Sequence, residues 1–421
     1  MSVRRVTAEG VALPASFHRL VVAWAGSLTG DGLRVVALPL LAVSVNPSAS
    51  AVAAVAVAST LPWLLVAIPA GALVDRLDPA KVMATAHLVR AMLTVGLVAV
   101  VVTGSATIPL LCAVGFAITS AETFADGSAQ SLLVRVVPHD HLERANARFV
   151  TVETLALDLA GPLAAGVLFV IAPWSPFALS AACFVAAALT VRTIKSTRPP
   201  APTVEAGQAT TSGTAGALAR IRAGLSRLVS DPVLRVLVIT VAIMAIGNAA
   251  TDAVLVLYGT QTLGMSEALY PTLLVAYSVG TLFAAVLVGR ANSRLRGGPT
   301  MMVALFGISA TMLVLGLVPT VVVALLAFAL MGVAGGTWNV LSATRRQRRT
   351  PHAMIGRVSS AFRVVAWGVI PIGAALGGSV GERWGVSTVY IASGIVIGLL
   401  GLVVVRSFTA AEPSQPVVES A

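Results

Sequence analysis

The chain has 421 residues, of which 57% are hydrophobic and only 11% are charged, and its mean hydropathy is +0.92. Soluble domains carry about 25% charged residues, so this composition excludes an ordinary soluble protein and indicates a membrane protein. The 28 basic residues outnumber the 17 acidic ones. Basic residues of membrane proteins collect on cytoplasmic loops, and the sequence has neither zinc-ligand spacing nor a basic helix with interleaved aromatic residues, so we expect no nucleic-acid partner.

Twelve apolar runs follow one another along the chain, each close to the length of about 20 residues that a helix needs to cross a bilayer. Backbone groups must be paired in lipid, and the runs are too long for barrel strands, so each run predicts a helix. The predicted fold class is therefore an all-α integral membrane protein with twelve transmembrane helices. The runs cover residues 19–43, 51–74, 82–103, 107–129, 149–171, 176–194, 234–258, 268–289, 300–318, 320–342, 358–380 and 386–406.

The segment 195–232 separates the sixth run from the seventh and has a different composition. Its first part is rich in Pro, Thr, Gly and Ala, which is typical of a flexible linker, and its last part predicts a short amphipathic helix on the cytoplasmic face. The predicted organisation is a six-helix bundle at 1–194, this linker, a second six-helix bundle at 233–406, and a cytoplasmic tail at 407–421.

Basic residues are distributed unevenly between the two ends of the predicted helices. With the N-terminus placed in the cytoplasm, 24 of the 28 Lys and Arg residues fall on cytoplasmic segments, and only Arg383 falls on an outside loop. This bias predicts that both termini and the linker are cytoplasmic. Arginine is strongly preferred over lysine, which is typical of a GC-rich bacterial genome, so we expect a multi-pass protein of the bacterial cytoplasmic membrane.

The two sets of six helices resemble each other in sequence. Duplicated six-helix halves with a site between them near the middle of the membrane are typical of secondary transporters. We call residues 1–194 the first repeat and residues 233–406 the second repeat. Three pairs of segments keep a nearly constant separation of 217, 218 and 213 residues: those beginning at Gly30 and Gly247, at Gly71 and Gly289, and at Pro138 and Pro351.

The stretch GALVDRLDPAK, residues 71–81, follows the second predicted span and combines a glycine with several charges. It resembles the G-x-L-x-D-R-x-x-x-x-R/K signature of the major facilitator superfamily, and a weaker copy follows the eighth span. The resemblance covers essentially the whole chain and implies the two-bundle fold of that superfamily. Asp78 and Pro79 depart from the usual signature, and Ser293 stands in the second copy where an acid is expected.

The resemblance implies a conformational switch made by Gly71, Asp75, Arg76, Lys81 and Asp126. Gly71 would let two helices approach closely. Asp75 would cap a helix of the other repeat, and Arg76 would bridge to Asp126 toward the cytoplasmic end of the fourth span. The alternative is that Asp75 and Arg76 are solvated loop charges.

Three further stretches resemble the macrolide-efflux branch of the superfamily: SLTGDGLRVVALPLLAV in the first span, VVPHDHLERANARF before the fifth, and TPHAMIGRVSSAFRVVAWGVIPIGAALGG leading into the eleventh. That resemblance implies export of amphipathic drugs or natural products in exchange for protons. AGPLAAG, residues 160–166, resembles the Gly-Pro motif of antiporters through Gly161, Pro162 and Gly166. The alternative is a plain helix kink with tight packing.

Ionisable residues within the spans are candidates for function because their burial in lipid is costly. Asp31 and Asp158 lie near the middle of their spans, and Arg34 lies one turn after Asp31 on the same face. These three residues are the proton-coupling candidates, with Asp31 ranked first. The alternative is structural pairing, for example of Arg90 with Glu122 or Glu153. The remaining charges within or beside the spans are Arg90, Glu122, Glu153, Asp252 and Arg363.

Signatures of enzymes are missing from the sequence, which has no Walker lysine loop, G-x-S-x-G, H-E-x-x-H or C-x-x-C. We therefore expect no catalytic site, cofactor or metal. The sequence predicts a proton-coupled secondary exporter of small amphipathic molecules that works as a monomer in the lipid bilayer. A dedicated metabolite or siderophore exporter, an uptake symporter, a lipid translocator and a membrane sensor or scaffold are the alternatives.

Overall fold

The computed structural model shows only helices as regular secondary structure in the residues that it describes. Asp75 of the signature, Ser293 of its copy, residues 195–213 of the linker and residues 410–421 of the tail lie outside these residues. The described residues are 13–74, 76–194, 214–291, 297–351 and 354–409.

The described part of the first repeat consists of α-helices and one π-helix of seven residues, Thr154–Ala160. The α-helices are α1 (Ala15–Val45), α2 (Ala49–Leu65), α3 (Ala67–Val74), α4 (Pro79–Val102), α5 (Ile108–Val136), α6 (Leu142–Glu153), α7 (Gly161–Ile171) and α8 (Ser175–Arg192). The π-helix joins α6 to α7, so these three elements form one continuous span.

The amphipathic helix of the linker and the second repeat are likewise helical where they are described. A second π-helix, Tyr258–Thr262, follows α11. The α-helices are α9 (Thr214–Ser230), α10 (Pro232–Ala253), α11 (Leu255–Leu257), α12 (Thr272–Ala291), α13 (Gly297–Leu317), α14 (Val321–Arg349), α15 (Ile355–Gly368), α16 (Ile370–Trp384) and α17 (Val386–Thr409).

Eleven helical stretches of the described residues are long and apolar enough to cross a membrane, and they match eleven of the twelve predicted spans. The prediction for residues 51–74 corresponds to two shorter helices, α2 and α3, which are separated at Val66. Pro69 lies in the first turn of α3 and lacks the N–H that would bond to the Leu65 carbonyl, so the α-helical hydrogen-bond ladder is interrupted there. The all-α membrane fold is confirmed.

An Asp-Pro pair begins one helix in each half of the chain. The Asp78 side chain accepts a hydrogen bond from the Ala80 backbone N–H at 3.0 Å, and Pro79 is the first residue of α4. Asp231 accepts from two backbone N–H groups at the start of α10, and Pro232 follows it. Aspartate satisfies the free N–H groups of a helix start, and proline has no N–H to leave unsatisfied.

The chain divides into two compact units. Unit 1 comprises Met1–Leu41 and Pro62–Ala217, and unit 2 comprises Ala42–Leu61 and Leu218–Ala421. Within unit 1, α4 packs mainly against α8 and α5, and within unit 2, α13 packs against α17 and α14. Since α13, α17 and α14 are the counterparts of α4, α8 and α5, the two repeats use the same helix pairing.

A matched pair of hydrogen bonds shows the duplication at atomic scale. In unit 1, the Ser180 hydroxyl on α8 donates to the Gly30 carbonyl on α1 at 2.8 Å. In unit 2, the Ser393 hydroxyl on α17 donates to the Gly247 carbonyl on α10 at 3.4 Å. Ser180 and Ser393 are 213 positions apart, and Gly30 and Gly247 are 217 positions apart, which are two of the separations that the sequence repeat predicts. The pseudo-repeated architecture is therefore confirmed.

Candidate functional site

Four charged side chains from three helices of unit 1 form one buried network. Asp31 and Arg34 come from α1, Arg90 from α4 and Glu122 from α5. The exposed fraction is 3% for Asp31, 8% for Arg34 and 0% for Arg90. The Glu122 side chain is 14% exposed. We call these four residues the charge network.

Each arginine of the charge network contacts both carboxylates. Arg34 Nη2 lies 2.7 Å from Glu122 Oε2 and 3.4 Å from Asp31 Oδ1. Arg90 Nη2 donates to Asp31 Oδ1 and lies 3.7 Å from Glu122 Oε2. Arg90 also donates through Nη1 to the Ser27 hydroxyl at 3.0 Å. Two cations and two anions thus compensate one another, as buried charges must.

An aromatic ring completes the surroundings of Arg90. The Arg90 guanidinium lies over the Phe184 ring of α8, 4.0 Å from its centroid, in a cation–π contact. The His87 ring stacks on Phe184 with the two centroids 6.4 Å apart. Ser27 and Phe184 were not predicted as partners. The spacing of Ser27 and Asp31, one helical turn apart on α1, is a signal that could have indicated Ser27, whereas no sequence pattern indicates Phe184.

Asp126 lies one turn after Glu122 on α5 and is the fifth charge of this region. Its carboxylate is within electrostatic range of Glu122, Asp31 and Arg90. No ion pair of Asp126 occurs among the described residues, so it has no cation of its own there. The predicted bridge between Arg76 and Asp126 is therefore not formed, because Arg76 is exposed after the end of α3 while Asp126 lies beside the charge network.

Asp158 lies on the π-helix and is partly buried. The wider π turn is a local distortion that often occurs at functional positions. Glu153, at the end of α6, is exposed, and its predicted pairing with Arg90 is not formed because Arg90 contacts Asp31 and Glu122 instead. Within the described residues, Asp158 forms no ion pair with the charge network.

The antiporter-like motif lies at a backbone contact between α1 and α7. A Cβ atom added at Gly161 would lie 2.7 Å from Gly32 Cα, and one added at Gly32 would lie 2.9 Å from the Ala156 carbonyl oxygen. These glycines let the two helices touch through their backbones just after Asp31 and Asp158 in the sequence. Pro162 and Gly166 are buried in the same helix. The tight packing predicted as the alternative for this motif is thus present.

The signature region is more open than predicted. A Cβ added at Gly71 would meet no heavy atom within 4 Å, so the close helix approach expected at this glycine is not formed. Lys81 is exposed on α4 and lines an apolar groove between α4 and α5. The predicted helix cap by Asp75 falls on a residue outside the described part of the chain.

Among the described residues of unit 2, charged side chains form no comparable network. Asp252 on α10 and Arg363 on α15 are both exposed, and neither forms an ion pair with a described residue. Arg346 on α14 lies over the Phe362 ring at 4.0 Å. Among the described residues, no group of three or more His, Cys, Asp or Glu side chains is arranged to hold a metal ion.

A membrane protein of two repeated helical bundles, with a compensated set of charges buried inside one of them, has the architecture of a secondary transporter. The sequence matches the family described as Major Facilitator Superfamily over residues 20–372, and the chain belongs to this family. It is therefore a multi-pass membrane transporter and not an enzyme.

Relatives and solved structures agree with this family. The chain is 26% identical over 385 residues to the "Multidrug efflux pump Tap" of Mycolicibacterium fortuitum, which covers 89% of this chain and 91% of the relative. The nucleoside transporter NupG superimposes with a TM-score of 0.73 at 13% identity, covering 95% of this chain and 100% of NupG. A bacterial homolog of the human lysosomal transporter Spinster, in an inward-facing conformation, gives 0.70 at 14% identity, covering 93% and 97%.

Proposed function

We propose that the chain exports small amphipathic molecules, including drugs, in exchange for protons across the bacterial cytoplasmic membrane. The observation that carries this proposal is the charge network, because buried ionisable groups in a transporter are its natural means of coupling to an ion. The relative named as a multidrug efflux pump supports the direction of transport and the substrate class. The low aromatic content of 5% and the abundance of aliphatic side chains favour a substrate that is bound mainly by apolar area.

The number of charges in this region supports one candidate for the group that carries the proton. Asp31, Glu122 and Asp126 supply three carboxyl groups, whereas Arg34 and Arg90 supply two guanidinium groups. One carboxyl group is therefore in excess, and Asp126 has no ion pair among the described residues. We propose Asp126 as the proton carrier, ahead of Asp158. Asp31, which both arginines hold, becomes the anchor of the charge network.

We propose that one contact within unit 2 changes during transport. The Glu382 carboxylate on α16 accepts hydrogen bonds from the Ser50 backbone N–H at 3.1 Å and from the Ser50 hydroxyl at 3.3 Å, at the start of α2. A Cβ added at Gly381 would lie 3.1 Å from the Ala49 Cβ. In sequence, α2 belongs to the first repeat and α16 to the second, so a movement of one repeat relative to the other breaks this contact.

Flux measurements on proteoliposomes test the proposal directly. With ethidium as the probe, wild-type protein should move the dye against its gradient when an inward proton gradient is imposed. Asp126→Asn should lose this driven transport by at least about tenfold, while dye exchange without a gradient continues. Asp158→Asn and Asp31→Asn test the other two candidates for the proton carrier in the same assay. The matched control is Asp140→Asn, which changes an exposed acid outside the spans. Wild-type driven transport in the Asp126, Asp158 and Asp31 variants alike would contradict proton coupling in unit 1.

Orientation needs a separate measurement, because export presupposes that the linker is cytoplasmic. In a background with Cys112 and Cys183 replaced by serine, single cysteines at Ser48 and Ser226 should differ in their reaction with an impermeant maleimide on intact cells. Ser48 lies between α1 and α2 and should be labelled, whereas Ser226 on α9 should be protected until the cells are opened. The reverse pattern would overturn the proposed orientation.

A further inference from the structure

A long apolar groove runs between α4 and α5 of unit 1, apart from the charge network. Its first part is a cavity of about 800 Å³, and its second part is a cavity of about 390 Å³. The two parts share Val89 and Leu93, so the groove is continuous along α4. Glu122 does not line it, although its neighbour Ala121 does. A molecule in the groove would therefore contact a different face of α5 from the one that carries the charge network.

One end of the groove carries a positive charge. Lys81 lines this end, is exposed, and forms no ion pair with a described residue. The neighbouring Asp78 carboxylate is engaged as the cap of α4, where it accepts from the Ala80 N–H at 3.0 Å. Arg76 is exposed just before it. The mouth of the groove is thus lined by Lys81, which has no ion pair among the described residues, and by the Asp78 carboxylate, which caps α4.

Further along the groove, the lining suits a hydrocarbon chain. Val82, Val89, Leu93, Ala117 and Phe124 present apolar side chains. The hydroxyl of Ser120, which also lines this part, donates to the Phe116 carbonyl at 2.7 Å and needs no partner from a ligand.

The length of the groove fits one leaflet of a bilayer. The twelve residues of α4 that separate Lys81 from Leu93 span about 18 Å at a rise of 1.5 Å per residue. Half of a hydrocarbon core of about 30 Å is about 15 Å. An acyl chain lying in the first cavity with its headgroup at Lys81 would therefore occupy the depth that a lipid of that leaflet occupies in the surrounding membrane.

We propose that the groove between α4 and α5 binds an anionic phospholipid, with one acyl chain against Leu93 and Ala117 and with the phosphate group at Lys81. The lysine at the mouth, the apolar lining and the leaflet-length cavity each match one part of such a lipid. The proposal concerns a site on unit 1 outside the charge network and does not depend on proton coupling or on the direction of transport.

Thermal unfolding of the purified full-length protein in detergent tests the role of the headgroup. Dioleoylphosphatidylglycerol should stabilise the wild-type protein at lower concentration than dioleoylphosphatidylcholine, which has the same chains. Lys81→Ala should lower the apparent affinity for the anionic lipid about fivefold and leave the zwitterionic lipid unaffected, since one basic residue is removed from the lipid surface. The matched control is Arg290→Ala, an exposed basic residue in the last turn of α12, which should change neither affinity.

A second substitution tests the role of the groove without changing any charge. Ala117→Trp should fill the cavity and lower the apparent affinity for both lipids. Ala285→Trp, at an exposed position of α12, should leave both affinities unchanged. Inorganic phosphate alone should have no effect. Equal stabilisation of the wild-type protein by both lipids, or a full preference for the anionic lipid in Lys81→Ala, would overturn the proposal. Displacement of the lipid by ethidium would also overturn it, because the groove would then belong to the path of the exported molecule.

Discussion

The first and second repeats have the same helix packing but different side chains at several buried positions, polar or charged in the first repeat and apolar in the second. On the inner side of α4, the buried positions His87, Arg90 and Thr94 correspond, at an offset of 218, to Leu305, Ile308 and Met312 of α13, which are equally buried. The positions of the second repeat that correspond to Asp31, Arg34, Arg90 and Glu122 hold Asn248, Thr251, Ile308 and Gly335, and the position that corresponds to Asp126 holds Asn339.

This difference shows that the charge network is not needed to specify the fold. The second repeat pairs α13 with α17 just as the first pairs α4 with α8, without any of the four charges. Phe184, which stacks on Arg90 in the first repeat, corresponds to Ile397, which is fully buried in the second. An apolar version of the same packing therefore exists within the same chain. Because a buried ion pair is often no more stable than a hydrophobic replacement, retention of the network in one repeat is best explained by function.

The largest difference between the repeats should appear when Arg90 is replaced. Arg90→Met leaves Asp31 and Glu122 with only Arg34, and breaking a buried pair in this way costs about 3–5 kcal/mol of the free energy of unfolding. Ile308→Met at the corresponding position keeps an apolar side chain of similar volume and should cost less than about 1.5 kcal/mol. Denaturant unfolding in micelles measures both values.

A charge-balanced double variant sharpens the same comparison. Arg90→Met combined with Asp31→Asn leaves one arginine and one carboxylate, Arg34 and Glu122, which are already 2.7 Å apart. The coupling energy between the two substitutions should be favourable and between about 0.5 and 3 kcal/mol, as for residues in one network. Strictly additive costs would contradict the mutual compensation of charges described above.

The second effect concerns backbone contacts that both repeats share. In the first repeat, α1 and α7 touch at Gly32 and Gly161. In the second, a Cβ added at Gly373 of α16 would lie 2.9 Å from the Ile246 Cα of α10 and would collide with the Ile246 carbonyl oxygen. Gly161→Ala and Gly373→Ala should each destabilise the protein by about 1–3 kcal/mol, because an added methyl group forces packed helices apart. If only Gly161→Ala were destabilising, the contact would belong to the antiporter-like motif and not to the duplicated architecture.

The sequence predicted much of this fold because the relevant signals are local. Apolar runs of membrane length and the nearly constant repeat offset can both be recognised without knowing any contact. The pairing inside the charge network could not be predicted in the same way. Arg34 lies three residues from Asp31, yet its shortest ion-pair contact is with Glu122, 88 positions away. Which of several acids an arginine meets depends on how three helices are rotated against one another, and that rotation is set by packing.

Two other predicted contacts are not formed in this structure, for related reasons. The predicted bridge from Arg76 to Asp126 required both side chains to reach the same end of unit 1, but Asp126 lies one turn from Glu122 and within range of the charge network. The close approach predicted at Gly71 rested on family resemblance alone, and the described neighbours leave that glycine in open space. A motif identifies residues that matter in some state of a transporter, whereas contacts describe one state.

The third effect concerns a charge that the second repeat has and the first repeat lacks. Glu382 on α16 caps the start of α2, while the corresponding position of α7, at an offset of 213, is the buried Phe169. Glu382→Gln keeps one acceptor oxygen but loses the charge, so the contact with Ser50 should weaken by about 1 kcal/mol, or roughly fivefold in a two-state balance. Cysteine cross-linking between Ala49→Cys and Gly381→Cys measures the fraction of molecules that hold the contact.

The control for this third effect is Glu267→Gln, which removes an exposed acid from a different part of the second repeat. It should leave the cross-linking yield unchanged. A Glu382→Gln variant that cross-links as fully as the parent protein would show that the packing of small side chains between α2 and α16 holds the contact by itself.

The smallest effect on stability should come from the two signature glycines, Gly71 and Gly289. A Cβ added at either position would meet nothing within 4 Å, and both residues lie in helices. Because alanine is more favourable than glycine in a helix by up to about 1 kcal/mol, Gly71→Ala and Gly289→Ala should be neutral or slightly stabilising.

The rate of transport should differ between these two variants. If the repeats close on each other near Gly71 in another state, Gly71→Ala will slow turnover in proteoliposomes without loss of stability, whereas Gly289→Ala, in the copy that has Ser293 in place of an acid, will not. Loss of stability in Gly71→Ala would mean that the glycine is already packed in the present state, and unchanged turnover would remove it from the switch.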